Sequence, residues 1–234
     1  MGKEDYFKGY IDLIEETALT YSEELTEPPV EGPVPEEMLE ETKNYRELMV
    51  EKIAETNDAM IVKYLEGREI TKDEIKNALR KATINYQIVP VVCGSALKNL
   101  GVQSLLDAVG HYLPSPLDVP PVIGKDYHTG EETKRTSSDD EPFAGLAFKA
   151  VADPFMGRLV YFRVYSGTVN SGSTVFNSNT GRRERLGRIV RMHAQRREDM
   201  EEVGVGQIAA AVGAKNTSTG HTLCDEKSPI VLET

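Results

Sequence analysis

Cysteine is scarce in this 234-residue chain, and long apolar runs are missing. The two cysteines, Cys93 and Cys224, cannot build a disulfide framework, so a cytoplasmic protein is expected. No run approaches the roughly 20 apolar residues of a membrane-spanning helix, and no membrane association is expected. Met1-Gly2-Lys3-Glu4-Asp5 is charged where a secretory leader would be apolar. The histidines, His111, His128, His193 and His221, show no zinc-ligand spacing, and neither cysteine lies in a Cys-x-x-Cys pair. No metal site is expected. Gly-x-Ser-x-Gly is absent too: Cys93-Gly94-Ser95-Ala96-Leu97 reads as a tight turn with exposed amides, not as a nucleophile elbow. A phosphate loop needs Gly-x-x-x-x-Gly-Lys followed by a hydroxyl residue, so that amides wrap the phosphates. Gly213-Ala214-Lys215-Asn216 lacks both the earlier glycine and the hydroxyl.

What is present is a soluble balance, 39% hydrophobic and 28% charged, with a formal net charge of −11. That charge is unevenly spread. Residues 1–80 carry 10 Lys/Arg against 21 Asp/Glu, residues 81–141 carry 5 against 8, and residues 142–234 carry 12 against 9. Such asymmetry suggests modules with different partners.

The first part reads as mostly helical. Tyr10-Ile11-Asp12-Leu13-Ile14 fits a strand or a helix. Pro28, Pro29, Pro33 and Pro35 then exclude a helix interior. Pro35, Glu36 and Glu37 open a long amphipathic helix carrying Met38, Tyr45, Met49, Ile53, Met60 and Tyr64 on one face, ended by Gly67. Thr71-Lys72-Asp73-Glu74 has capping-box spacing and starts a helix with Ile75, Leu79 and Ala82 inward. The run from Ile88 to Cys93 fits a strand buried on both faces of a parallel sheet, with Pro90 near an edge. Val102, Leu105, Leu106, Val109 and Leu113 mark a packed helix after it. No earlier partner strands for such a sheet are visible, so this looks like the end of a domain that begins elsewhere.

The proline-rich stretch 114–121 is the strongest boundary signal, and a division into residues 1–118 and 119–234 is expected. Beyond it, β-rich runs at 143–151, 159–169, 174–177, 183–192, 207–212 and 229–232 alternate with Gly and Asn turns. These predict a small all-β barrel or sandwich after an α+β first part.

Residues 181–197 hold seven arginines in seventeen positions. The planar guanidinium suits bidentate phosphate contact, so Arg182, Arg183, Arg185, Arg188 and Arg191 are candidate sequence-independent contacts to the backbone of RNA or DNA. The alternative is a solvated strand face neutralised by the following Glu198-Asp199-Met200-Glu201-Glu202.

The segment Pro90-Val91-Val92-Cys93-Gly94-Ser95-Ala96-Leu97-Lys98-Asn99-Leu100-Gly101-Val102, followed by Leu113-Pro114-Ser115-Pro116-Leu117-Asp118-Val119-Pro120-Pro121, resembles bacterial elongation factor G. So do Tyr64-Leu65-Glu66-Gly67, Ala152-Asp153-Pro154-Phe155-Met156-Gly157-Arg158-Leu159, Arg163-Val164-Tyr165-Ser166-Gly167, and Arg188 to Ala194. The likeness runs over essentially the whole chain. Ribosome-protection proteins share this architecture, but the Ser95–Asn99 and Leu113–Asp118 runs look more like the elongation factor.

The resemblance implies a piece of that translational GTPase. Residues 1 to about 85 would be much of the insert subdomain of the GTP-binding domain. Residues 86–117 would be that domain's last strand and helix, and the remainder the second domain, a β-barrel. It further implies that Ser95, Ala96 and Leu97 form the guanine-reading turn. The barrel would dock on small-subunit ribosomal RNA and the acidic insert on the stalk protein, with no DNA partner. GTP or GDP with magnesium is implied for the full-length protein, which drives translocation of tRNA and mRNA. The phosphate loop, both switches and the Asn-Lys-x-Asp motif have no counterpart here, so no cofactor and no GTP turnover are expected of this chain. A free-standing RNA-binding or stalk-protein-binding module is the other expectation.

Overall fold

Asn57 interrupts what periodicity draws as one long helix. Its side-chain oxygen accepts from the amides of Ala59 (3.0 Å) and Met60 (3.1 Å), so it serves as an N-cap and restarts the chain. In the computed structural model, which describes residues 1–2, 6–22, 28–154, 156–193 and 196–232, the helix is therefore two: α1 (Leu39–Ala54) and α2 (Asp58–Leu65). Lys3, Glu4, Asp5, Phe155, Ala194 and Gln195, which belong to runs quoted above, lie outside the described residues. The chain divides into two units, Met1–Pro114 and Ser115–Thr234.

The first unit is α+β. Strands β1 (Gly9–Asp12), β2 (Thr17–Thr20) and β3 (Val30–Gly32) form an antiparallel meander, which settles Tyr10–Asp12 as strand. Gly67, at φ +66°, closes α2 in the left-handed conformation while the Arg68 amide reaches back to the Lys63 carbonyl. Helix α3 (Lys72–Ile84) starts at Thr71, and both arms of the expected capping box are made. Ile75, Leu79 and Ala82 are buried as expected, and Ile75 and Leu79 pack with Val50, Ile53, Ala54, Met60 and Ile14 in one core. Tyr45, expected on the buried face, is exposed instead.

Two expectations fail between residues 88 and 113. Ile88–Cys93 is not a strand: it has no ladder partner among the described residues, and Val89 and Val91 are 81% and 91% exposed. A parallel strand needs neighbours, and the unit's three strands are committed to one another. Helix α4 (Val102–Tyr112) forms where expected, but none of its residues is buried, and Leu105, Leu106 and Val109 face outward. It is held at its C-terminal end, where the Arg80 guanidinium donates to the carbonyls of His111 (2.6 Å) and Leu113 (3.4 Å). No described helix is long and apolar enough to cross a membrane.

The second unit is antiparallel β. Strands β4 (Val122–Asp126) and β5 (Glu132–Arg135), which the sequence reading missed, pair as a hairpin and join β16 (Ile230–Val231). The main sheet contains β6 (Ala144–Asp153), β7 (Gly157–Ser166), β9 (Thr174–Asn177), β10 (Arg182–Arg185), β11 (Arg188–His193), β12 (Arg196–Met200), β14 (Ile208–Val212) and β15 (Thr222–Cys224). Its order is β10-β9-β15-β6-β7-β14-β11-β12, while β8 (Val169–Asn170) pairs with β13 (Glu202–Val203). Along β7, Val160, Phe162 and Val164 are fully buried, and the residues between them are half-buried on the other face. Inward residues from across the sheet, Val175, Leu223, Phe162, Ala209 and Ile189, meet in one cluster, so the sheet curls around a core as a barrel does.

One ionic knot fixes the first unit's β1–β2 turn onto α3. Glu15 takes Lys72 (3.1 Å) and Lys76, and Lys72 also donates to the Glu15 carbonyl at 2.9 Å. Lys76 first, then Lys72, hold the Glu15 carboxyl below its ordinary 4.5. A depressed carboxylate stabilises fully above its unfolded value and loses that contribution as pH falls through the folded one. Glu15→Gln should lower the melting temperature at neutral pH and make its decline shallower between about pH 5 and 3. Circular-dichroism melts across that range check this, and parallel curves for the two proteins would refute it.

Candidate nucleic-acid interface

Alternation sets Arg183 and Arg185 opposite to Glu184, while Arg182, at Glu184's own phase, is exposed at the strand's first position. In β10 the register sets Arg182, Arg183, Glu184 and Arg185 against Asn177, Phe176, Val175 and Thr174 of β9. Glu184 turns inward and is 5% exposed, while the three arginines are exposed. The buried carboxylate is met by donors from a distant loop. It accepts from the Asn216 amide at 3.0 and 3.1 Å and from the Thr217 hydroxyl at 2.9 Å. Asn177, fully buried, donates to the same hydroxyl at 3.1 Å, and its oxygen accepts from the amides of Asn179 and Thr180. The β9–β10 turn that presents Arg182 is thus tied to the 216–217 loop. These three anchors went unnoticed in the sequence. The one available signal, for Glu184, was an acid set between Arg183 and Arg185 in a β-rich run.

The candidate arginines fall into two kinds. Arg183 pairs with Glu226 at 2.8 Å. Arg188 grips Asp199 with two nitrogens, one of them at 2.7 Å, and holds that carboxyl below the usual aspartate range. Arg191 stands 3.7 Å from Glu198, directly across the β11–β12 ladder. The return strand therefore sets acids opposite arginines, as the solvated-face alternative requires. Arg182 and Arg185 have no ion-pair partner among the described residues. They are the two of the five candidates whose charge stays unneutralised.

The other candidate site is the turn after Cys93. Ser95 and Leu100 exchange two backbone hydrogen bonds (2.9 and 3.0 Å), and the Asn99 amide reaches the Ala96 carbonyl at 3.2 Å. The Ser95 amide is thereby committed within the turn, while Ala96 and Leu97 project outward and Leu97 is 96% exposed. Gly94 is required here, because a β-carbon would lie 2.6 Å from the Leu100 carbonyl oxygen. The turn and the arginine strands belong to different units.

Among the described residues, no three His, Cys, Asp or Glu side chains group as metal ligands. The glycine-lysine phosphate loop is missing from the sequence as well.

Glu184→Ala removes the acceptor shared by Asn216 and Thr217. A loss of about 2–3 kcal/mol is expected, the usual value of buried hydrogen bonds to a charged group. Urea unfolding would measure it, and a change below about 0.5 kcal/mol, ordinary for surface substitutions, would contradict the anchoring role.

Comparison with known proteins gives one match within the second unit and one over nearly the whole chain. Residues 157–224, which include β7 to β15, match the family model of elongation factor Tu domain 2. A crystal structure of a protein from Thermus thermophilus is similar over 98% of this chain, at 26% identity and a TM-score of 0.76. That match covers 31% of the solved chain, so this chain spans about a third of its length. The arginine strands thus lie in a region similar to the second domain of a translation elongation factor.

Proposed function

We propose that this chain is a ribosome-docking portion of a translational GTPase of the elongation factor G kind. The complete protein would hydrolyse GTP and promote movement of tRNA and mRNA. The observation that carries this reading is the likeness of residues 157–224 to an elongation-factor domain, coinciding with two exposed arginines that have no ion-pair partner among the described residues. Arg182 and Arg185 make the primary contacts to small-subunit RNA phosphates. Arg183, Arg188 and Arg191 already hold carboxylates, so each gains less by exchanging that partner for a phosphate. In the complete protein, a backbone amide of the exposed Ala96–Leu97 stretch would read the guanine base, with Ser95 bracing the turn. The acidic first unit would meet the stalk protein.

The test is binding of the chain to a ribosomal RNA duplex across a salt series. Joint Arg182→Ala and Arg185→Ala substitution should weaken binding about tenfold or more and reduce the log–log salt slope by about 2, one per lost phosphate contact. Arg188→Ala should change it much less. Absence of binding at low salt, or equal loss from all the arginines, would overturn the assignment.

A further inference from the structure

A β-bulge in β6 places two consecutive side chains on the outer face of the main sheet. Ala147 pairs with Phe162 and Lys149 with Tyr161, so Phe148 is the extra residue. Strict alternation would bury one of Phe148 and Lys149, yet both are exposed, Phe148 at 42%. The Phe148 ring lies 6.3 Å from that of Tyr161, inclined at 49°, and the Lys149 ammonium sits 5.8 Å from the Tyr161 ring centre. Two residues along β7, the Arg163 guanidinium is 5.7 Å from the Tyr165 ring centre. Arg163 also faces Ile208 of β14, which is 51% exposed.

Neither Lys149 nor Arg163 has an ion-pair partner among the described residues. This contrasts with β11 and β12, where acids answer the arginines. Exposed aromatic surface beside unneutralised cations matches the chemistry of an unpaired nucleotide. The base has a flat face to stack and the flanking phosphates need positive charge. A duplex hides its base faces and cannot use the ring.

We propose that the outer face of β6, β7 and β14 binds single-stranded RNA, with a base stacked on Phe148 and phosphates at Lys149 and Arg163. The proposal rests on the reading of the β unit as an RNA-contacting module. It adds a separate site for unpaired nucleotides to the arginine strand.

The probe is a fluorescein-labelled oligouridylate of about ten nucleotides, within the usual range of single-strand site sizes, followed by anisotropy with the whole chain. A blunt RNA duplex serves as the comparator. Phe148→Ala should weaken oligouridylate binding about tenfold, and Phe148→Tyr, which keeps a stacking ring, should bind like the parent. Joint Lys149→Ala and Arg163→Ala substitution should weaken the salt dependence. Duplex binding should ignore Phe148 and follow Arg182 and Arg185. Thermal melts of each variant, with Phe148→Leu as an apolar control lacking a stacking ring, separate lost stacking from lost folding. If oligouridylate binding is absent, or is equal in the parent and Phe148→Ala, while duplex binding still follows Arg182 and Arg185, the stacking site is refuted and the arginine reading stands. If neither RNA binds at low salt, both fail. Self-association abolished by Phe148→Ala, without RNA affinity, would assign the face to a second copy and overturn the proposal.

Discussion

A carboxylate taken out of water must be met by donors, and Glu184 places that requirement inside the arginine strand. Its partners, the Asn216 amide and Thr217 hydroxyl, come from a loop thirty-odd residues away in sequence. Asn177 joins the same hydroxyl from the neighbouring strand, and its oxygen organises the turn before β10. Shifting β10 by one residue would bring an arginine to the inward position and turn Glu184 to solvent. The Asn216 amide and the Thr217 hydroxyl would both lose their acceptor. The register is therefore held by a buried polar contact as well as by the apolar residues beside it, and the outward direction of Arg183 and Arg185 follows from it.

Pairing, more than composition, sets the charge that a partner meets. The basic excess of residues 142–234 concentrates in a hairpin whose second strand returns acids to the arginines of the first. Antiparallel geometry makes that answer local: Arg191 lies directly opposite Glu198, and Arg188 reaches Asp199 diagonally. Exposed pairs of this kind contribute little to stability but still lower the field around each cation. Among the described residues, Arg182 and Arg185 on β10, and Lys149 and Arg163 beside the β6 bulge, are cations outside that hairpin with no ion-pair partner. A run of seven arginines marks the region correctly, whereas counting them overstates its free charge.

Features that depend on a few adjacent residues were legible in the sequence. The Thr71–Glu74 box, the Gly67 helix end and the alternating run of β7 are of this kind. The misreadings share a dependence on distant partners. Ile88–Cys93 has the composition of an inner strand, but composition cannot supply neighbouring strands. In β12, Arg196-Arg197-Glu198-Asp199-Met200 carries almost no apolar signal and becomes a strand through its pairing with β11. In β15, three residues are too few to show a period. Asn57 was readable in principle, since asparagine before aspartate favours a helix start, but continuous apolar spacing on either side concealed it. The arginines were legible as a group, while their division into paired and unpaired required the acids across the ladder.

The bulge in β6 shows the same limit from the other side. Read as letters, Ala147-Phe148-Lys149-Ala150 is an ordinary piece of a mostly apolar strand, and nothing local sets Phe148 apart. Only the step in register against Phe162 and Tyr161 brings it to the outer face next to Lys149. A single inserted residue thus changes a buried position into an exposed aromatic flanked by cations. At 42% exposure the ring forgoes only part of what full burial of a phenylalanine side chain contributes, and it keeps its contact with Tyr161. The bulge re-aims Phe148 to the outer face, beside the Tyr161 ring, and leaves the uncovered part of its ring open to a partner.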